Sequence, residues 1–400
     1  MIEIHEGTIK RSLEAVQTWI ESRDYKGYDP GDGLTSFLRP LAFGNLFAER
    51  VLQQLIWKAP INVRPLVGVV PLPSTKGRGF MAWGYLLLHN TLGDKSYLDK
   101  AVQSLRWLDL HTESGHVGHC WGNHFDFSTR GGCMRAHTPT IVWSGLIGQA
   151  FLEAYEQTRE IEYLDISRSI CRWILNLPRE STSTGSCLSY TGLGQSSVHN
   201  SNLLGAAMLA RCWKHTGSPE YIKVAREAVL YSCTRQRQDG SWWYAEKPTY
   251  HWIDNFHTGY NLDSLKRYIE NAGDESFRHS LNKGYAYFKK TFFEPTGRPR
   301  YYHNSTYPVD IQCGAQAIDT LCFFADEDAE ALPLAENVAS WTIKNMQSRD
   351  GHFYYRQYPL MKARTPYLHW GQATMFKALA HLLSVRRTGR VAAATASPAA

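Results

Sequence analysis

The feature that most constrains this chain is an internal repeat. An apolar-striped helix, a TGD-like turn, a second helix that carries Trp, and a Gly- and aromatic-rich stretch recur as one unit. Five copies begin at Gly79, Thr140, Asn202, His257 and Cys313, about 55 to 62 residues apart, which is the length of two helices and two loops. A further helical pattern opens at His369 with no partner after it. The chain also starts with an unpaired pattern, roughly Gly7 to Ser22, that ends as the second helices do, in RDYKGYDPGDG.

Pairing those two leftover helices makes a sixth hairpin and closes the array. The sequence therefore predicts an all-α, closed (α/α)6 toroid of helical hairpins over residues 1–390, a single domain whose two termini pair to close the ring. The segment from about Phe43 to Trp57 reads as an additional helix before a Pro-rich connection, and VAAATASPAA (391–400) as a disordered low-complexity tail. An open helical solenoid is the alternative, but it would show polar capping repeats.

In such a ring, the loops between a second helix and the next first helix lie on one face, and the unusual residues collect there: 27–33, 115–139, 185–202, 239–257, 297–310 and 351–370. Asp254 and His257 open a helix, where the carboxylate is either a plain N-cap or a partner that holds the imidazole at the positive end of the dipole. Asp310 invites the same two readings, and His124 and Asp126 complete the catalytic candidates. Substrate contacts are expected from Tyr28, Trp121, Arg135, His199, Trp242, Trp243, Tyr260, Tyr301, His303, Tyr355 and Trp370. His116, His119 and His124 lie near Cys120 in a Gly-broken loop without a known ligand spacing, so neither a metal nor another cofactor is expected.

Two chemistries fit. Glycosidic cleavage needs two flanking carboxylates, with Asp29, Asp32, Asp126, Asp239, Glu246, Asp254, Asp310 and Asp350 available. Elimination or epimerisation beside a carbonyl uses His or Tyr with Arg to neutralise charge; His124, His137, His199, His257, His303, Tyr260, Tyr301, Arg130, Arg135 and Arg300 suit it. Sixteen His residues tilt the balance toward the second.

Composition narrows the partner. Thirteen Trp, 22 Tyr and 16 Phe exceed what a helical core needs and suit a sugar-stacking or prenyl-binding cleft. A net charge of +6 is scattered, without the basic run that tracks a nucleic-acid backbone, and favours a mildly anionic substrate. The opening residues lack a basic-then-apolar leader and no window nears 18 apolar residues, so no integral membrane segment is expected. Eight Cys without CxxC spacing read as reduced thiols of a cytoplasmic protein.

With its repeats, Trp-bearing helices and the run DNFHTGYNLDSL, the chain resembles the six-hairpin (α/α) toroid superfamily of carbohydrate-active enzymes, and more narrowly the uncharacterised toroid proteins encoded with exopolysaccharide biosynthesis genes. The resemblance implies work on a polysaccharide or oligosaccharide, in a uronate-bearing form, by bond cleavage or epimerisation, and allows a place in a polysaccharide-synthesis complex. The stretch EKPTYHWIDNFHTGYNLDSL (246–265) is also similar to the zinc-ligand region of protein prenyltransferase β subunits, with His257 at the zinc position, and QRQDGSWW (236–243) to the QW motif of squalene cyclases. There the partner Asp-x-Cys pair reads Asn200-Ser201-Asn202, and no Asp-rich acid motif is present, so these matches point to the toroid fold rather than prenyl chemistry. A binding or scaffold toroid without paired acids is the non-enzymatic alternative.

Overall fold

A computed structural model describes residues 4–129 and 132–396, with side chains as far as Gly389. In chain order the helices are α1 (Glu6–Glu21), α2 (Leu46–Lys58), α3 (Thr75–Leu92), α4 (Lys95–Leu110), α5 (Ile141–Thr158), α6 (Ile161–Leu175) and α7 (His199–Thr216). They continue as α8 (Pro219–Thr234), α9 (Asn255–Ala272), α10 (Arg278–Thr291), α11 (Ile311–Phe323), α12 (Ala331–Met346) and α13 (Ala373–Ala396). Helices α3, α5, α7, α9, α11 and α13 pack each on the next, and α13 returns to α3. Outside them α4, α6, α8, α10 and α12 each back the preceding inner helix, while α1 backs α13. The chain is a closed (α/α)6 toroid whose sixth hairpin joins its first helix to its last, as the repeat predicts.

The two helix classes follow from their residues. Outer helices are one-sided: α4 buries Ala101, Ser104, Leu105 and Leu108, one stripe at helical period. Inner helices are enclosed on all sides, so α7 is buried without a break from His199 to Cys212. Small residues let them approach; a Cβ on Gly84 of α3 would lie 2.6 Å from the Phe376 ring of α13. Inner helices α3, α7 and α9 end on left-handed glycines, Gly93, Gly217 and Gly273, which is the turn that favours Gly after a helix. α5 ends the same way on Arg159, at φ 62°.

The inner helices start at one face, the mouth, where the long loops form short strands: β1 (Lys26–Gly27) with β2 (Leu72–Pro73), β3 (Phe127–Thr129) with β4 (Gly132–Met134), β5 (Arg179–Thr182) with β6 (Gly185–Leu188), and the sheet β7 (Val309–Asp310), β8 (Arg356–Gln357), β9 (Lys362–Ala363), all antiparallel. The extra helix α2 sits at the rim, tied by Gln53 to Ser128 and by Trp57 to Tyr355. The backbone of α13 runs on through residues 391–396. Residues 397–400 of the expected tail lie outside the described residues. All eight cysteines are free, six of them buried. No helix among the described residues is long and apolar enough to cross a membrane.

Candidate active site

The mouth is built by helix capping. A helix start leaves backbone amides without partners, and each of several inner helices supplies one from just upstream. Ser74 accepts from the Gly77 amide, Thr140 from Trp143, Asp254 from His257 and Asp310 from Gln312. The sixth inner helix lacks such a local residue. It enters through a wide π turn, Leu368–Gln372, and its cap comes from the far end of the chain: Asp29 Oδ1 accepts the His369 amide at 2.9 Å. Ring closure thus brings together two residues 340 positions apart.

Two of these caps do a second job. Asp254 Oδ1 holds the His257 amide while Oδ2 lies 2.7 Å from His257 Nδ1. Asp29 stands in a related place: its Oδ2 lies 2.8 Å from His369 Nδ1 without hydrogen-bond geometry, and the hydrogen bond of that nitrogen is to Ser74 Oγ at 3.2 Å. Both aspartates are buried, and Trp252 Nε1 donates to the Asp254 oxygen. With Nδ1 engaged, each ring has Nε2 on its opposite edge, and neither Nε2 bonds to another described residue. A carboxylate on Nδ1 fixes ring orientation and supports proton exchange at the other nitrogen.

Around these pairs stand groups with little internal compensation. Lys76, near the start of α3, points its ammonium toward the rings of Trp143 (4.7 Å), Phe80 (5.7 Å) and Tyr260 (6.0 Å). Tyr260 belongs to α9, across the ring from α3, so Lys76 lies in the lumen. Burial pushes its amine down to about 8, against the nearby Asp29 carboxylate, and no ion pair within 4 Å answers it among the described residues. Burial likewise lowers His124 to about 4, with Asp29 opposing and His369 and His137 reinforcing. Buried polar atoms normally find partners, yet His124 Nδ1, Trp143 Nε1, Asn200 Oδ1, Gln312 Oε1 and both side-chain polar atoms of Asn255 have none among the described residues. All but His124 lie in the first turn of an inner helix, a concentration suited to a polar ligand.

Below this level the axis is filled. All six inner helices line a cavity of about 20 Å³ that holds Asp263, Asp319, Gln316, Arg267 and Lys377. Asp263 is raised to about 7 by burial and by Asp319. Burial also works against ionised Asp319, but Lys377 and His381 hold it low. This polar floor differs from the dry aromatic tunnel that prenyl chemistry would require.

The predicted residues separate into groups. Asp254, His257, Tyr260, Tyr301, Asp310 and Trp370 come together: Trp370 Nε1 donates to Asp310, Arg356 pairs with Asp310 and lies over Tyr301, and Phe256 bridges His257 and Trp370. His124 joins the Asp29–His369 pair. Asp126 instead clamps the rim, accepting from Arg39 and from the exposed Arg135. Trp121 and Trp242 lie in the hairpin core, their indoles bonded to the Leu108 and Ser232 carbonyls. His199 is wholly buried between Ser232 and Glu246, Trp243 stacks on His251, and His303 approaches the Ile253 carbonyl. Tyr28 lies beneath Arg64, and Tyr355 accepts from Trp57. Arg130 lies outside the described residues. His119 is occupied by Ser169 and Asp109. The carboxylates Glu270, Asp326 and Glu327 cluster at the surface around the Lys266 ammonium.

Sequence reasoning left out Lys76, Trp143 and His369. A signal for the last two is present: Trp143, His257 and His369 each stand two residues before a glycine, Gly145, Gly259 and Gly371, at matching points of three repeats.

No protein-family model matches the chain, and no curated protein sequence matches it significantly. Solved structures do resemble it. An unsaturated glucuronyl hydrolase specific for heparin superposes with a TM-score of 0.64 at 12% identity, over 97% of this chain and 99% of its own. A family 76 glycoside hydrolase (mannosidase) from Bacteroides thetaiotaomicron gives 0.63 at 12% identity, over 96% and 100%. A cellobiose 2-epimerase from Bacillus thermoamylovorans gives 0.61 at 12% identity, over 80% and 90%. These likenesses establish the six-hairpin (α/α) toroid fold.

Proposed function

We propose that this protein is a carbohydrate-active enzyme that moves protons on an acidic saccharide, as an epimerase or an eliminating lyase. The observation that carries this reading is two buried carboxylates, each within 2.8 Å of an imidazole Nδ1, Asp254 beside His257 and Asp29 beside His369, at the mouth of one lumen. Epimerisation next to a carbonyl, or elimination from a uronate, begins when a base removes a carbon-bound proton. It ends when an acid returns a proton to carbon or gives one to the departing oxygen. Two imidazoles, each beside a buried carboxylate, supply both roles through Nε2. Lys76 meets the negative charge that gathers on the carboxylate or enolate oxygens, where a desolvated cation acts most strongly. Trp143, Tyr260 and Trp370 offer ring faces to the sugar. The names of the similar structures, an epimerase and sugar hydrolases, support saccharide chemistry without choosing the reaction.

Hydrolysis by a carboxylate pair is the less favoured reading. Both oxygens of Asp126, Asp254 and Asp310 already accept hydrogen bonds from the protein, so each serves to hold other groups. The resemblance to exopolysaccharide-cluster toroids supports a biosynthetic setting, including a polysaccharide-synthesis complex, and the eight free cysteines suit the cytoplasm.

The test is incubation in deuterated water with a panel of uronate and neutral saccharides. Deuterium at a sugar carbon, unsaturated-uronate absorbance and new reducing ends are followed together. Deuterium incorporation or absorbance that His369→Ala and His257→Ala each remove is expected. Reducing ends with neither signal would overturn proton abstraction in favour of hydrolysis.

A further inference from the structure

Ten of the sixteen exposed large hydrophobic side chains among the described residues fall within residues 37–70, on α2 and the loops around it. Phe43 is 90% exposed, Phe47 and Leu66 each 76%, and Leu55 67%. Monomeric soluble surfaces rarely concentrate apolar groups in this way. On α2 the outward residues form two parallel stripes at helical spacing: Phe47, Val51 and Leu55 beside Arg50, Gln54 and Lys58. Together with Ala59 and Pro60 they line an open groove of about 570 Å³.

Charge selects the occupant. Between Asp32 and Asp94 the sequence has one acid, Glu49, and it is buried, bonded to Arg39 and Ser128. The exposed surface of this segment is therefore apolar and cationic, and among the described residues Arg50 and Lys58 form no ion pair within 4 Å. A second copy docked about a two-fold axis would set these cations against themselves with no acid from the segment between them. A short helix with an apolar stripe beside a basic one is the pattern that lies flat in a lipid headgroup region, and the absence of a spanning helix among the described residues fits peripheral attachment.

We propose that the outer face of α2 and its flanking loops dock on a bilayer containing anionic lipid. Because Gln53, Trp57 and Arg39 tie this segment to the mouth loops at Ser128, Tyr355 and Asp126, docking sets the rim of the mouth beside the headgroups. The proposal is independent of the chemistry inside the lumen.

The test is co-sedimentation of the full chain with vesicles of phosphatidylcholine alone and of phosphatidylcholine with equal phosphatidylglycerol. Binding to the mixed vesicles is expected, with at least tenfold loss on pure phosphatidylcholine. Arg50→Gln/Lys58→Gln is expected to weaken binding roughly thirtyfold, from the loss of two headgroup-facing cations. Phe43→Ser/Phe47→Ser/Leu55→Ser should abolish it, with thermal unfolding checking that the exposed substitutions leave the fold intact, and Phe47→Leu alone should bind as the parent does. Failure of the parent protein to bind mixed vesicles, or binding that the serine variant retains, would overturn the proposal. So would light scattering that finds a dimer dissociated by the same substitutions, which would assign the face to a second copy.

Discussion

Lys76 is kept in the lumen at a cost to folding. Its amine changes from the ordinary Lys value of 10.5 to about 8 in the folded chain, so between those values the folded state binds fewer protons than the unfolded one. Stability therefore rises as pH climbs from 8 to 10.5, and below pH 8 the chain carries the full penalty, about 3 kcal/mol at 1.36 kcal/mol per pH unit. Urea denaturation of Lys76→Met should find the variant more stable at pH 7, with its advantage shrinking toward pH 10.5, while its affinity for acidic saccharides falls. His124 gives the acid-side counterpart. Ordinarily near 6.5 and held near 4 when folded, it makes stability fall as pH drops from 6.5 to 4, and His124→Gln should flatten that limb. Legibility at this scale depended on separation along the chain. Asp254 and His257 are three positions apart at a helix start, so their pairing follows from local geometry. Asp29 and His369 meet only because the ring closes, which no local spacing reveals, and Lys76 reads as an ordinary surface lysine until Tyr260 is seen across from it.

Among the elements, hairpins were legible because their pattern recurs: inner helices without a polar side, outer helices with one stripe, and, after α3, α5, α7 and α9, a left-handed residue between them. Arg159 is the exception at that turn, where Gly occupies the equivalent positions after α3, α7 and α9. Since a side chain in the left-handed region costs roughly 1 kcal/mol, Arg159→Gly should stabilise the protein by about that amount in chemical denaturation. Gly84 tests the opposite case. Its Cβ would press on Phe376 at the seam between α3 and α13, so Gly84→Ala should cost about 1–3 kcal/mol by overpacking. The strands of the mouth were less legible because they are two to four residues long and paired by loop geometry rather than by alternation.

At the scale of the molecule, Asp29 acts at once as cap, as imidazole partner and as a link between α1 and the sixth inner helix. Asp29→Ala should therefore reduce turnover as strongly as His369→Ala, while lowering the melting temperature by several degrees more, because it removes the acceptor for the His369 backbone amide as well as the carboxylate beside its ring. Equal melting temperatures for the two variants would deny Asp29 this structural share.

The closed ring also sets an order on events during synthesis. Of the ring's helices α1 leaves the ribosome before the others, yet α13, the helix it packs against, follows them all, so its buried face, with Leu13, Val16 and Ile20, stays without its partner through the making of five hairpins. Until then α3 and α11 flank an open slot, and the Asp29–His369 unit does not exist. Copies halted before α13 emerge without a working mouth and with a sticky seam exposed, which marks them for chaperones and proteases. The mouth is whole only once α13 has been made and packed between α3 and α11.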